Sequence, residues 1–328
     1  MRIYWVKEIV VKLCRAACGL ALAAPLLCTS AARAQDPALV AMTPIQVAPH
    51  SYFVQGQSAL GSTANQNFIS NAGFVVTDTS VVVFDALGSP ALAARLLQEI
   101  RRITPKPVSH VFVTHYHADH VYGLQVFQAA GATIVAHRLG LGYLNSDTAQ
   151  TRLRASRKDL APWVDENTRL VTAGLWLDGA ADFPIGGMHI QARPVGPSHS
   201  PEDLVFFVAE EGVLFAGDLV FRGRIPFVGQ ADSRHWIVAL DDLLKFDARV
   251  IVPGHGPQST RARDDLVQTR DYLVFLRQTM GAAARNLEPF DEAYGKVDWS
   301  RFEKLPLFDA ANRMNAYNTY LLMEQERD

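Results

Sequence analysis

Along this chain, short runs of β-branched and aromatic residues alternate with segments whose apolar residues recur at helical spacing. "NFISNAGFVVT" (67–77) and "SVVVFDA" (80–86) read as two strands joined by a turn at "TDTS". "SPALAARLLQEIRRIT" then places Leu92, Leu96, Leu97, Ile100 and Ile103 on one helical face, with Ser89 as N-cap and Pro90 at the first helical position. "VSHVFVT" is a buried strand, "LQVFQAAG" a short helix closed by Gly131, and "ATIVA" another strand. "SYFV" (51–54) reads as an edge strand, and residues 35–66 around it as loosely structured. Strands resume at "MHIQARPV", "LVFFVAE", "VLFAGD" and "RVIVPGHG", interrupted by the helix "DSRHWIVALDDLLKF" with Asp232 as its cap. Residues 138–182, charged and carrying Trp163 and Trp176, read as a helical excursion. After Ser259 the pattern is helical to the end. Alternating strand and helix predicts an α/β layered fold. With no repeat, low-complexity tract or linker, residues 35–328 read as a single domain, a core of about 51–258 with a helical extension of about 259–328.

Composition changes this picture at the N-terminus. Lys7, Lys12 and Arg15 precede an apolar stretch from Ala16 to Cys28, too short to span a bilayer, and "ARA" at 32–34 is a small-x-small cleavage site. Residues 1–34 are therefore expected to be a secretory signal peptide cleaved after Ala34, which makes the mature protein periplasmic or secreted. Cys14, Cys18 and Cys28, the only cysteines, all lie in that segment, so any metal site must use His, Asp and Glu. Removing Arg2, Lys7, Lys12, Arg15, Arg33 and Glu8 takes the basic count from 31 to 26 and the acidic count from 33 to 32, a net charge of −6. No basic run remains, which argues against a nucleic-acid partner. No second stretch could cross a membrane once the signal is removed. A small-molecule substrate is the expected partner; oligomeric state is not indicated.

The candidate chemistry concentrates in "VFVTHYHADHVYGL" (111–124), which holds three of the chain's 10 histidines. If the chain stays extended past Thr114, His115, His117 and Asp119 share one face, and His120 diverges where the next helix begins. Imidazoles and a carboxylate on one short loop suit zinc, or iron or manganese at higher coordination. Three more candidates recur in loops directly after strand-like runs: His199 in "VGPSHSPEDL", Asp218 in "VLFAGDLVF" and His255 in "VIVPGHGP".

With "THYHADH", "GPSHSPEDL", "FAGDLVF" and "PGHG" in this order, the chain resembles the metallo-β-lactamase superfamily from about Phe68 to Pro257. The resemblance implies a four-layer αβ/βα sandwich, here with extra C-terminal helices. It implies two Zn2+, with His115, His117 and His199 on the first, Asp119, His120 and His255 on the second, and Asp218 bridging. Asp85 matches a family aspartate that braces the His-rich loop. An Asp at 218, where several zinc β-lactamase classes carry Cys or lack a bridging ligand, is similar to glyoxalase II, lactonase and phosphodiesterase-type hydrolases. "NFISNAGFVVTDTSVVVFDALGSPALA" and "NAYNTYLLMEQE" resemble the periplasmic quinoprotein relay system zinc metallohydrolases, a subgroup that includes sulfur-oxidation-associated proteins.

The chemistry implied is hydrolysis of a small ester, thioester, lactone or amide by a dinuclear zinc-bound hydroxide. Asp119 is the expected catalytic residue, orienting the nucleophile or shuttling its proton. Phe221, Arg222, Ile225, Pro226 and Phe227, just after Asp218, are placed to line a substrate cleft, and Arg222 or Arg224 could meet an anionic group. No general acid is assigned; His235, beside Trp236 on a helix, reads as structural. The rivals are a class B β-lactamase-like amide hydrolase, a mononuclear iron enzyme similar to persulfide dioxygenases, and a non-catalytic periplasmic binding partner. The intact ligand set weighs against the last.

Overall fold

The computed structural model describes residues 40–229 and 231–326. The expected signal peptide, residues 1–34, lies outside the described residues. The first half runs β1 (Ile45–Gln46), β2 (Ser51–Val54), β3 (Ala72–Val76), β4 (Val81–Phe84), α1 (Pro90–Ile103), β5 (Val108–Phe112), α2 (Ala118–Val121), α3 (Leu124–Ala129), β6 (Thr133–His137), α4 (Gly140–Leu144), α5 (Asp147–Asp159) and β7 (Leu175–Leu177). The second half runs β8 (Ala181–Ile185), β9 (Met188–Pro194), β10 (Leu204–Val208), β11 (Val213–Phe221), α6 (Ser233–Leu243), β12 (Val250–His255), α7 (Ala262–Arg285), α8 (Phe290–Lys296) and α9 (Phe308–Gln325).

The strands form two sheets, ordered β1-β2-β3-β4-β5-β6-β7 and β12-β11-β10-β9-β8. One apolar cluster draws on both: Phe53, Val82, Phe84 and Phe112 from the first sheet meet Phe206, Phe215 and Val252 from the second. Phe84 stacks on Phe215 with ring centroids 4.0 Å apart. A second cluster packs α1 and α3 on the outside of the first sheet through Leu92, Leu96, Ile100 and Phe127. A third packs α6, α7 and α9 against β11 and β12 through Trp236, Leu240, Leu273 and Leu276. Helix, sheet, sheet and helix are thus the four layers, each interface sealed by side chains worth about 1.5–3 kcal/mol apiece when fully buried.

Local chemistry sets the helix starts. Ser89 accepts from the backbone N–H of Leu92 at 3.2 Å, with Pro90 opening α1, and Asp232 accepts from His235 N–H at 3.0 Å to open α6. Three expectations need correction. "SYFV" is not an edge strand, because β1 pairs outside it. Residues 138–182 hold α4 and α5 but also β7 and the start of β8. The chain after Thr114 does not stay extended: His117 is the last extended residue, and Asp119 and His120 lie in the first turn of α2.

Candidate metal centre

The centre sits where strands of both sheets end. β4 delivers Asp85, β5 delivers Thr114 and His115, β11 holds Asp218, β12 ends in His255, and the β9–β10 loop carries His199. Two glycines permit close approach around β11, Gly254 from β12 and Gly217 beneath Thr114 at the end of β5. A Cβ on Gly254 would stand 2.0 Å from Asp218 Oδ1, and one on Gly217, where φ is +52°, 2.7 Å from Thr114 Cβ. Only glycine fits either place.

The helical turn at Ala118 divides the candidates into two groups. His115, His117, His199 and Asp218 form one, Asp119, His120 and His255 the other, and ligand atoms within each lie within 4.8 Å of one another. In the first, His199 Nε2 is 3.0 Å from His117 Nδ1 and 3.4 Å from Asp218 Oδ2, and His115 Nε2 is 3.9 Å from the same oxygen. In the second, His120 Nε2 and His255 Nε2 stand 3.2 and 3.4 Å from Asp218 Oδ1, and 3.7 and 3.3 Å from Asp119 Oδ2. Asp218 therefore turns one carboxylate oxygen to each group.

Hydrogen bonds outside the groups fix which nitrogen faces inward. His120 Nδ1 donates to Asp85 Oδ2 at 2.9 Å and His255 Nδ1 to the carbonyl of Ile69 at 2.7 Å. Thr114 Oγ1 donates to Asp85 Oδ2 at 2.8 Å and so accepts from His115 Nδ1 at 3.0 Å. Asp85 Oδ1 also accepts from Thr114 N–H at 2.8 Å. In all three histidines the Nε2 lone pair is left to face the group. His115 Nε2, His120 Nε2 and Asp218 Oδ1 are buried with no hydrogen-bond partner among the described residues.

These residues fit divalent cations. Nitrogen and oxygen ligands about 2.0–2.1 Å from a tetrahedral ion stand about 3.4 Å apart, close to the separations here. Protonation agrees. Burial pushes His199 down to about 3 and also lowers His115 and His117, so these three are neutral, the form that can bind a metal ion. Burial works against charge on His120 and His255 too, but there the Asp218 carboxylate prevails and both are raised. Burial raises Asp119 and Asp218, yet the adjoining histidines outweigh it and hold both carboxylates well below their usual range. The second group thus stabilises positive charge, which a metal ion would supply in place of protons.

The cleft expectations fare unevenly. Arg222 turns away: its Nε donates to Asp265 and its Nη1 to the carbonyl of Gln258, both at 2.9 Å. The arginine beside the centre is Arg224, with Nη1 3.2 Å from His255 Nδ1. Phe227 packs against it, its ring 5.2 Å from the guanidinium carbon. His235 bonds Asp232 on the surface, outside both ligand groups. Thr114 and Asn71 carry roles the sequence reading missed. Asn71 Nδ2 donates at 2.8 Å to the carbonyls of Pro253 and Gly256, holding the turn that presents His255. The signal for Thr114 was its place next to the His run; for Asn71 there was none.

Two packed sheets with helices outside, and paired His/Asp groups at their strand ends, define a class of metal-site scaffold. The chain belongs to the metallo-beta-lactamase superfamily, whose family profile matches residues 66–255. It is 27% identical over 255 residues to the linear primary-alkylsulfatase of a Pseudomonas species, covering 66% of this chain but only 48% of that protein. It is 24% identical over 235 residues to metallo-beta-lactamase IND-1 of Chryseobacterium indologenes, covering 70% and 87% respectively. The solved sec-alkylsulfatase Pisa1 from Pseudomonas sp. superposes with a TM-score of 0.70 at 17% identity, over 86% of this chain and 50% of that one. That likeness is one of fold.

Proposed function

We propose that the protein is an exported, zinc-dependent hydrolase that uses two ions to cleave a small ester, thioester, lactone or amide. The alkylsulfatase relatives add sulfate esters to that range. The observation that carries the reading is the division of Asp218, one oxygen to each of two ligand groups. This favours two ions over the single iron of the dioxygenase alternative. Ions bound there would supply Lewis acidity and lower the pKa of a bound water from ~15.7 to about 7. Asp119, the more exposed of the two central carboxylates and ionised at neutral pH, is placed to accept and orient a water proton. Asp85, Thr114 and Ile69 O keep the imidazoles turned inward. The export signal rests on residues 1–34.

Metal quantification on protein purified from its export compartment, followed by hydrolysis assays on that sample, tests this. About two zinc per chain and turnover of at least one ester, lactone, sulfate ester or β-lactam are expected. Full activity in metal-free protein, or a zinc-loaded protein inert across the panel, would overturn it.

A further inference from the structure

The outer hydrogen bonds that orient His115, His120 and His255 have no counterpart at the other two imidazoles. His199 Nδ1 is buried with no partner among the described residues, and the His117 ring makes no hydrogen bond among them except to His199 Nε2. These two are held through their backbones. The loop between β9 and β10 ends in two adjacent acids, Glu202 and Asp203, buried at 5% and 2% exposure. Neither forms an ion pair among the described residues. Asp203 closes its own loop: its carboxylate accepts from Ser200 N–H and Oγ, both at 2.7 Å, and its carbonyl from Val195 N–H at 2.9 Å. Glu202 reaches out of the loop, where Oε1 accepts at 3.1 Å from the N–H of Tyr116, the residue between His115 and His117. Leu204 N–H, two residues on, donates to Thr114 O at 2.9 Å. The two contacts bracket His115 and join the strand end that carries it to the loop that carries His199.

Burying a carboxyl group without a cation is costly unless its oxygens are used. The hydrogen bond that Glu202 makes among the described residues falls on the peptide between two metal ligands. With no outer bond to steer the rings of His117 and His199, a shift of either loop changes the 3.0 Å between their facing nitrogens directly. We propose that Glu202 is a positioning residue for the first ligand group: by clamping the peptide between His115 and His117 to the His199 loop, it fixes the spacing of three imidazoles and so governs binding of the first ion. This rests on the two-ion reading above and deepens it. The second group, whose histidines are set by Asp85 and Ile69 O, does not depend on Glu202.

The test reads the two ions apart, by zinc titration of full-length protein against a chromogenic chelator. His255→Ala disables the second group and reports the first ion; His199→Ala disables the first group and reports the second. Each parent receives Glu202→Gln, whose amide oxygen can still accept from Tyr116 N–H, Glu202→Leu, which has no acceptor, and Glu202→Asp, which is one methylene short. Glu202→Leu and Glu202→Asp are expected to weaken the first ion by about 10–100-fold and the second by less than about threefold, with Glu202→Gln within about threefold of its parent for both. Cobalt(II) in place of zinc gives a second readout: the absorption bands of the first ion should change in Glu202→Leu and Glu202→Asp and be kept in Glu202→Gln. An unchanged first-ion affinity in Glu202→Leu, equal weakening of both ions, or a Glu202→Gln as poor as Glu202→Leu overturns the proposal, and so does a His255→Ala parent that takes up no zinc. Should Glu202→Leu fail to fold, Glu202→Asp is read in its place by the same criteria. Selective loss of the first ion, in a protein whose wild type turns over no ester, lactone, sulfate ester or β-lactam, would leave the positioning role standing and count against the hydrolytic reading.

Discussion

Asp85 does more for the centre than its distance from the reacting atoms suggests. One carboxylate meets Thr114 N–H and Oγ1 and His120 Nδ1, and through Thr114 it also sets the tautomer of His115. It does so from a backbone φ of +60°, a conformation Asp tolerates better than most side chains. Asp85→Ala is expected to weaken zinc binding by about 10–100-fold, read by competition with a chromogenic chelator; unchanged affinity would discount this role. The raised pKa values of His120 and His255 carry a sign. Both must lose a proton to become ligands, so zinc affinity should fall as pH falls through and below the range of these raised pKa values. Calorimetry in buffers of different ionisation enthalpy should detect proton release on binding. A pH-independent affinity with no proton release would contradict the assignment. Spacing does not reveal this network: "THYHADH" announces ligands, but which nitrogen each presents depends on the adjacent Thr114 and on Asp85 and Ile69, brought in from segments earlier in the chain.

At the scale of elements, the interface between β11 and β12 is the tightest part of the site. Gly254→Ala would drive a methyl into Asp218 Oδ1 and, at 2.6 Å, into the backbone of Gly217. Such overpacking typically costs about 1–3 kcal/mol, and here it should also lower zinc content. Gly295→Ala in α8, where an added Cβ meets nothing within 4 Å, is the contrast: about 0.5–1 kcal/mol of stabilisation with zinc unaffected. Thermal melts and metal analysis of both variants separate the two outcomes. β4, buried at every position, was legible as an unbroken apolar run, whereas β11 was legible only up to Asp218, the polar residue inside its buried run. β1, β7 and β8 were not. Each is an outermost strand of its sheet, and β8 alternates half-buried with exposed positions and contains Pro184.

On the scale of the molecule, the C-terminal helices hold the loop that leaves the metal centre. Asn315 on α9, fully buried, accepts from Val228 N–H at 2.9 Å and donates to the carbonyl of Pro226 at 2.7 Å. Ile225 N–H donates to Pro306 O at 3.0 Å. The loop so fixed carries Arg224 and Phe227. Asn315→Ala would strand two buried backbone groups at about 1–3 kcal/mol each. We expect a lower melting temperature, faster proteolysis between residues 222 and 232, and a raised KM at unchanged zinc content; a KM equal to wild type would show the clamp to be dispensable.

The sequence by itself determined the layered α/β class, the helix caps at Ser89 and Asp232, and the seven His and Asp side chains that meet at the centre. Those features are local: periodicity, capping chemistry and ligand type are properties of a few neighbouring residues. Tertiary structure alone decided which nitrogen each imidazole turns inward, that Arg224 rather than Arg222 lies beside His255, and that α9 braces the loop carrying Arg224 and Phe227. Each depends on contacts between segments far apart in the chain, where burial and the direction of a side chain are set by packing rather than by spacing.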